Sequence, residues 1–213
     1  MTPHGLGELA ALHLAEVQDN QDPDARGRIQ VSLVGAPTAF WAPVVVPSAG
    51  GGYGLACLPR IGELVVVGFV TPDLPLVLGA LWSGADSFPD AADPPEDHYL
   101  LRTPRGCMLQ LDDGAGPRAT LRTPSGNRVE IDDGAGEVRI RRGGDEVTLA
   151  QDGISITAAG RVSVQAGADV EVNAAMVTVN AAMSSFSGVL QADTVLANSV
   201  VSASYSPGAG NMW

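Results

Sequence analysis

The sequence predicts an all-β protein: a small closed barrel, then short strands that wind with two further copies of the chain into a β-helical needle. Three observations carry that reading. Apolar and polar residues alternate in short runs split by glycine and proline, as half-buried strands require. A sixteen-residue unit recurs at a spacing of 20 with ten identities. After it come five-residue segments too narrow to bury a core of their own.

The first elements fall within residues 12–86, after an N-terminal arm at 1–11. Residues 12–17 lead into a polar loop at 18–24, and residues 28–33 (Arg-Ile-Gln-Val-Ser-Leu) alternate polar and apolar. Further strands are expected at 40–46, 54–58 and 63–70, and a last apolar run at 76–82. So many short strands in about 70 residues suit a closed barrel, which leaves no sheet edge open. Residues 87–100 read as a linker, with Pro89, Pro94, Pro95 and four acids before His98.

The repeat occupies residues 101–153. Leu-Arg-Thr-Pro at 101–104 returns at 121–124, and Asp-Asp-Gly-Ala-Gly at 112–116 returns at 132–136. Each copy holds one strand, at 108–111 or 128–131, closed by an Asp-Asp-Gly turn. A decayed third copy runs through 146–153. A shorter repeat takes over at 154–204: segments at 154–158, 162–166, 170–174 and 177–181 share a β-branched, polar, β-branched, polar, Ala pattern. A single-chain β-helix needs about 20 residues per coil. Starts only 8, 8 and 7 residues apart fit three chains, each supplying one strand per layer. Residues 205–213 form an uncharged tip ending in Met212 and Trp213.

Composition narrows the function. The chain has 213 residues and a formal charge of −12, and all twelve cations are arginine. Without a basic cluster it is poorly suited to nucleic acid or anionic membranes. Beyond Arg161 there are only three charges, so the segment needs cover, and copies of itself are the simplest cover. No apolar run reaches the roughly 18 residues of a membrane span. The N-terminus lacks the basic region of a signal peptide. Cys57 and Cys107 read as free thiols, which fits synthesis in the cytoplasm; Cys57 is expected as a small core residue in an apolar strand.

No catalytic, cofactor or metal set emerges. Asp112/Asp113 and Asp132/Asp133 read as turn aspartates, because a repeated motif gives both pairs one environment and acid–base carboxylates need two. Asp19, Asp22 and Asp24 miss the calcium-loop spacing and read as a solvated loop. His4, His13 and His98 lie far apart, and no His-x-His or Cys-x-x-Cys is present. The glycines at 50–52 lack the lysine of a phosphate loop. Phe40, Trp41, Tyr53 and Phe69 are expected to pack in the core rather than stack bases.

With these residues laid out, the chain resembles the phage baseplate assembly protein V family, the central spikes of contractile injection systems. The motifs are Val-Gln-Asp-Asn-Gln-Asp-Pro-Asp at 17–24, Gly-Arg-Ile-Gln-Val at 27–31, Trp-Ala-Pro-Val at 41–44, Gly-Tyr-Gly at 52–54 and Leu-Pro-Arg-Ile-Gly-Glu at 58–63. Val-Val-Gly-Phe at 66–69 and Pro-Leu-Val-Leu-Gly-Ala-Leu-Trp-Ser-Gly at 75–84 complete the set. The resemblance implies an OB-fold barrel, a homotrimer with an intertwined needle, and docking on a separate trimeric hub at the N-terminal end. It implies assembly in the cytoplasm into a phage tail or extracellular particle, and only transient contact with a target membrane. No lysozyme domain fits between residues 85 and 100, so wall digestion is not expected. The metal-binding tip of some relatives is replaced here by an apolar end. Tyr205, Pro207, Asn211, Met212 and Trp213 would seat a separate cap protein of the PAAR type.

Two other readings make different demands on the residues. A trimeric tailspike or adhesin for surface polysaccharide would place aromatics along the shaft, where residues 154–204 hold only Phe186. A single-stranded nucleic-acid-binding barrel would carry a basic face, where residues 12–84 hold three arginines against six acids.

Overall fold

A computed structural model describes residues 12–85 and 87–204. The N-terminal arm and the proposed tip residues Tyr205, Pro207, Asn211, Met212 and Trp213 lie outside the described residues. The described residues contain no α-helix. The chain divides into two units, one through Val162 and one from Ser163.

The first sheet is built from β1 (His13–Asp19), β2 (Arg28–Leu33), β3 (Ala39–Pro43), β6 (Leu64–Thr71) and β7 (Leu74–Ala80), in the order β3-β2-β1-β6-β7. A two-residue hairpin, β4 (Ala49–Gly50) and β5 (Tyr53–Gly54), projects between β3 and β6. The barrel closes where Val44 bridges Val77 in parallel and the Val45 N–H donates to the Val77 carbonyl at 2.8 Å. Bulges in β1 between Val17 and Asp19, and at two points along β6–β7, bend the wall enough to close it.

Alternation fills the interior from one face of each strand. Ala15, Val17, Ile29, Val31, Ala42, Val65, Val67 and Val77 are wholly buried. Phe40, Phe69, Leu33, Val44 and Leu58 ring this core. Tyr53 is an exception to the expected aromatic packing and is exposed on the β4–β5 hairpin. Cys57 is exposed as well, a correction to its expected place in an apolar strand. The cause is local: β5 ends at Gly54, whose φ of 140° suits glycine, and residues 55–60 run outside any strand.

The loop between β1 and β2 is more ordered than a solvated acidic loop. The Asp22 side chain, 3% exposed, accepts hydrogen bonds from the backbone N–H of Asp24, Arg26 and Arg28 and from the Arg28 guanidinium. The Arg28 guanidinium beside it holds the Asp22 carboxyl far below its ordinary 3.8. A depressed carboxyl contributes stability that is fully present above pH 3.8 and is lost as pH falls through the folded value. The stability gap between wild type and Asp22→Asn is therefore expected to be widest above pH 3.8 and to close below it. Urea midpoints measured across that range check this, and a gap that grows toward acid would refute it.

The second sheet is an antiparallel meander in chain order: β8 (His98–Arg102), β9 (Met108–Asp112), β10 (Arg118–Arg122), β11 (Arg128–Asp132), β12 (Glu137–Arg142), β13 (Asp145–Ala150) and β14 (Gly153–Thr157). The 20-residue repeat is structural. Thr103 N–H donates to the Cys107 carbonyl, and Thr123 N–H to that of Asn127. Asp113 N–H donates to the Asp97 carbonyl, and Asp133 N–H to that of Pro117. Two Asp-Asp-Gly loops touch at Gly116 and Gly134, where a Cβ on either would come within 3.2 Å of the other's Cα.

The sequence repeat grouped residues 154–158 with the segments that follow them. In the structure Gly153–Thr157 is instead the last strand of the meander, because the Gln151-Asp152-Gly153 turn folds it back with Ile154 and Ile156 opposite Leu149 and Val147. From Ser163 to Ser204 the chain makes no strand pairing within itself, and every described residue is exposed.

Candidate assembly interface

The meander has two chemically opposite faces, and both follow from period-two alternation. On one face the register stacks Arg118, Thr120 and Arg122 of β10 against Asp132, Glu130 and Arg128 of β11, and these against Glu137, Arg139 and Arg141 of β12. Long guanidinium side chains lie over shorter groups, so Thr120, Glu130 and Asp132 are buried although polar.

Their charges are paired, Arg122 excepted. Arg118 meets Asp132 at 2.9 Å, Arg128 meets Glu130, Arg139 meets Glu137, and Arg141 meets Glu146 at 2.5 Å. The backbone N–H of Ala135, with Arg118 second, holds the Asp132 carboxyl below its usual range. Arg141 does the same for Glu146. Burial, and then the surrounding arginines, push Arg128 below its ordinary value. This is a network of ion pairs on a sheet surface, in which the Nε atoms of Arg128 and Arg139 are buried without a hydrogen-bond partner.

The other face is apolar from end to end. It runs from Tyr99 and Leu101 on β8, through Leu109 and Leu111, Leu121, Val129 and Ile131, to Ile154 and Ile156 on β14. Nothing in the described chain covers it: Leu121 is 52% exposed, Ile131 49% and Ile154 72%. Soluble proteins rarely leave so continuous an apolar face open unless a partner covers it. Later in the sequence, Val164, Val172 and Val179 are more exposed than Leu121 or Ile131. Sequence reasoning placed one strand in each repeat, at 108–111 and 128–131, where the structure has two, and did not single out their common face. The signal was present as alternation at 109/111, 129/131, 138/140 and 147/149.

Phe40 and Phe69 pack on each other at the core's rim, and Trp41 lies under Arg28 at 5.8 Å. Tyr53 stands apart on its hairpin.

Comparison with family models matches these two parts separately. Residues 13–82 match the type VI secretion system/phage-baseplate injector OB domain, which is the five-stranded barrel. Residues 118–191 match the phage baseplate V C-terminal trimerisation domain, which takes in β10–β14 and continues to Gln191. Together the matches cover about two thirds of the chain. The chain belongs to the phage baseplate V family. Membership gives it a structural role in a baseplate or spike of a phage or secretion particle. The trimerisation domain supports a homotrimer, and its match takes in the β10–β14 part of the uncovered apolar face, which itself starts earlier, at Tyr99 on β8. No curated protein matches the chain.

Proposed function

We propose that the chain is the central spike of a contractile tail or injection device. The single observation that carries this reading is the open apolar face of β8–β14, which no described segment of the same chain covers; later in the sequence Val164, Val172 and Val179 are likewise exposed. Two further copies are the natural cover. Strands of five residues at about 3.4 Å each make a wall about 17 Å wide. Three such walls closed as a triangular prism stand about 5 Å from their common axis, half the ~10 Å at which sheets pack face to face. Side chains from all three would fill that interior. Residues 163–204 would braid with their counterparts, so that backbone groups unpaired in one chain find partners in the next.

In this reading the barrel at 12–86 and the tip at 205–213 are divided as the sequence suggests, while the linker at 87–100, neck at 101–153 and shaft at 154–204 give way to a neck formed by the whole meander, His98–Thr157, and a shaft that follows it to residue 204. The barrels dock on a separate trimeric hub. Sheath contraction loads the shaft along its axis, and the needle pierces the target envelope without enzymatic cutting. Tyr205, Pro207, Asn211, Met212 and Trp213 seat a cap protein of the PAAR type.

Light scattering on the purified protein tests the reading. The expected mass is three times the 21.8 kDa of one chain, persisting in detergent until the sample is boiled. A mass of 21.8 kDa would exclude the spike. The same measurement with a PAAR-type protein added should show a further gain in mass that is lost when residues 205–213 are deleted. Full binding without them would exclude the tip as the cap's seat.

A further inference from the structure

The charges of the neck are sorted by flank. In a meander every second turn falls on the same side, and the register fixes which. One flank carries the two Asp-Asp-Gly loops and the β13–β14 turn. Asp113, Asp133 and Asp152 are exposed there, and none has an ion-pair partner among the described residues. The opposite flank carries the two Thr-Pro-x-Gly turns and the β12–β13 turn. Arg105, Arg122 and Arg142 are exposed there and are equally without an ion-pair partner among the described residues; the flank also holds one exposed carboxylate, Asp145, which lies opposite Arg142 in the register and accepts a hydrogen bond from the Ala159 N–H.

The two ladders also match in spacing. Each steps by two strands, about 10 Å, and they are offset by one strand. A sheet with an anionic flank and a cationic flank is complementary to another copy of itself, flank to opposite flank. Such a contact is heterologous, and when its rotation closes it makes a ring.

We infer that the cationic flank of each neck docks on the anionic flank of the next copy of the chain, so that three identical contacts close the trimer. Arg105, Arg122 and Arg142 of one copy then face Asp113, Asp133 and Asp152 of its neighbour; the one-strand offset sets Arg122 and Arg142 each between two carboxylates and leaves Arg105 at the end of the ladder, beside Asp113 alone. The inference rests on the trimer proposed above and adds which surface meets which. The apolar face supplies the adhesion. The flanks supply the rate and the sense of the pairing, as charges at the rim of an interface do.

The test uses the full-length chain refolded from denaturant at low salt, with trimer formation followed by light scattering. One variant carries Arg105→Glu, Arg122→Glu and Arg142→Glu; a second carries Asp113→Lys, Asp133→Lys and Asp152→Lys; a third carries all six. Either three-fold variant is expected to assemble at least about ten-fold more slowly than wild type, with the deficit shrinking near 0.5 M salt. The six-fold variant should recover the wild-type rate. A mixture of the two three-fold variants should not, because a ring of three cannot alternate two kinds of subunit. Wild-type protein that stays monomeric would overturn the trimer and this docking with it. A wild-type trimer whose three-fold variants assemble normally, or whose six-fold variant stays as slow as they are, would overturn the docking alone. Should a reversal variant fail to fold, Arg105→Gln with Arg122→Gln and Arg142→Gln must still slow assembly for the docking to stand.

Discussion

Replacing Ile131 by aspartate is expected to leave the protein monomeric and otherwise folded. Ile131 sits mid-sheet on β11, opposite Ala119 on one side and Val138 on the other. In the isolated chain its side chain is half exposed, so a carboxylate there stays hydrated and costs the subunit little. In the prism, three carboxylates would meet near the axis without a cation. Each unpaired buried charge costs several kcal/mol, and the three add mutual repulsion. Light scattering should therefore report 21.8 kDa for Ile131→Asp and three times that for the conservative Ile131→Val. Far-ultraviolet circular dichroism should keep the barrel's signal. An Ile131→Asp protein that remains trimeric would place the apolar face outside the subunit contact.

Ile29→Ala should act in the opposite way, on the fold of each barrel rather than on association. Ile29 is the largest of the side chains sealed in a core otherwise made of valine and alanine. It lies between β1 and β3, so the wall cannot collapse into the gap without breaking register with Ala42. Removing three buried carbons and leaving a cavity costs about 3 kcal/mol. For a domain of this size that lowers the melting midpoint by roughly 15 °C. Calorimetry should show the barrel transition move while the mass by light scattering stays unchanged. An unshifted transition would mean that Ile29 does not close the core.

The barrel was legible because its strands advertise themselves. The alternation at 28–33 became β2 unchanged, and the strand expected at 63–70 became β6 with a shift of one residue. The repeat at 101–136 was legible for a related reason: identical turns impose identical hydrogen bonds, as at Thr103 and Thr123. What sequence could not show was long-range pairing. Cys57 looked like core because its neighbours are apolar, but no partner strand reaches it. Ile154 and Ile156 looked like the start of the later repeat, and only the return turn at 151–153 assigns them to the meander. Asp22 read as one acid among several in a loop. Its role depends on Arg28, six residues away, curling back onto it. The segregation of charge by flank was likewise invisible, since it exists only once the direction of each strand is known.

The touching glycines at 116 and 134 mark a stacking unit whose size has a consequence for evolution. Each 20-residue repeat holds two strands, so gaining or losing one changes the height of the neck by about 10 Å, twice the separation of neighbouring strands. Because the strands come in pairs, such a step leaves every later isoleucine on the inner side and every later aspartate loop above the one before it. A single extra strand would instead exchange the two flanks for everything downstream. Spike length in this architecture is thus a ruler graduated in whole hairpins.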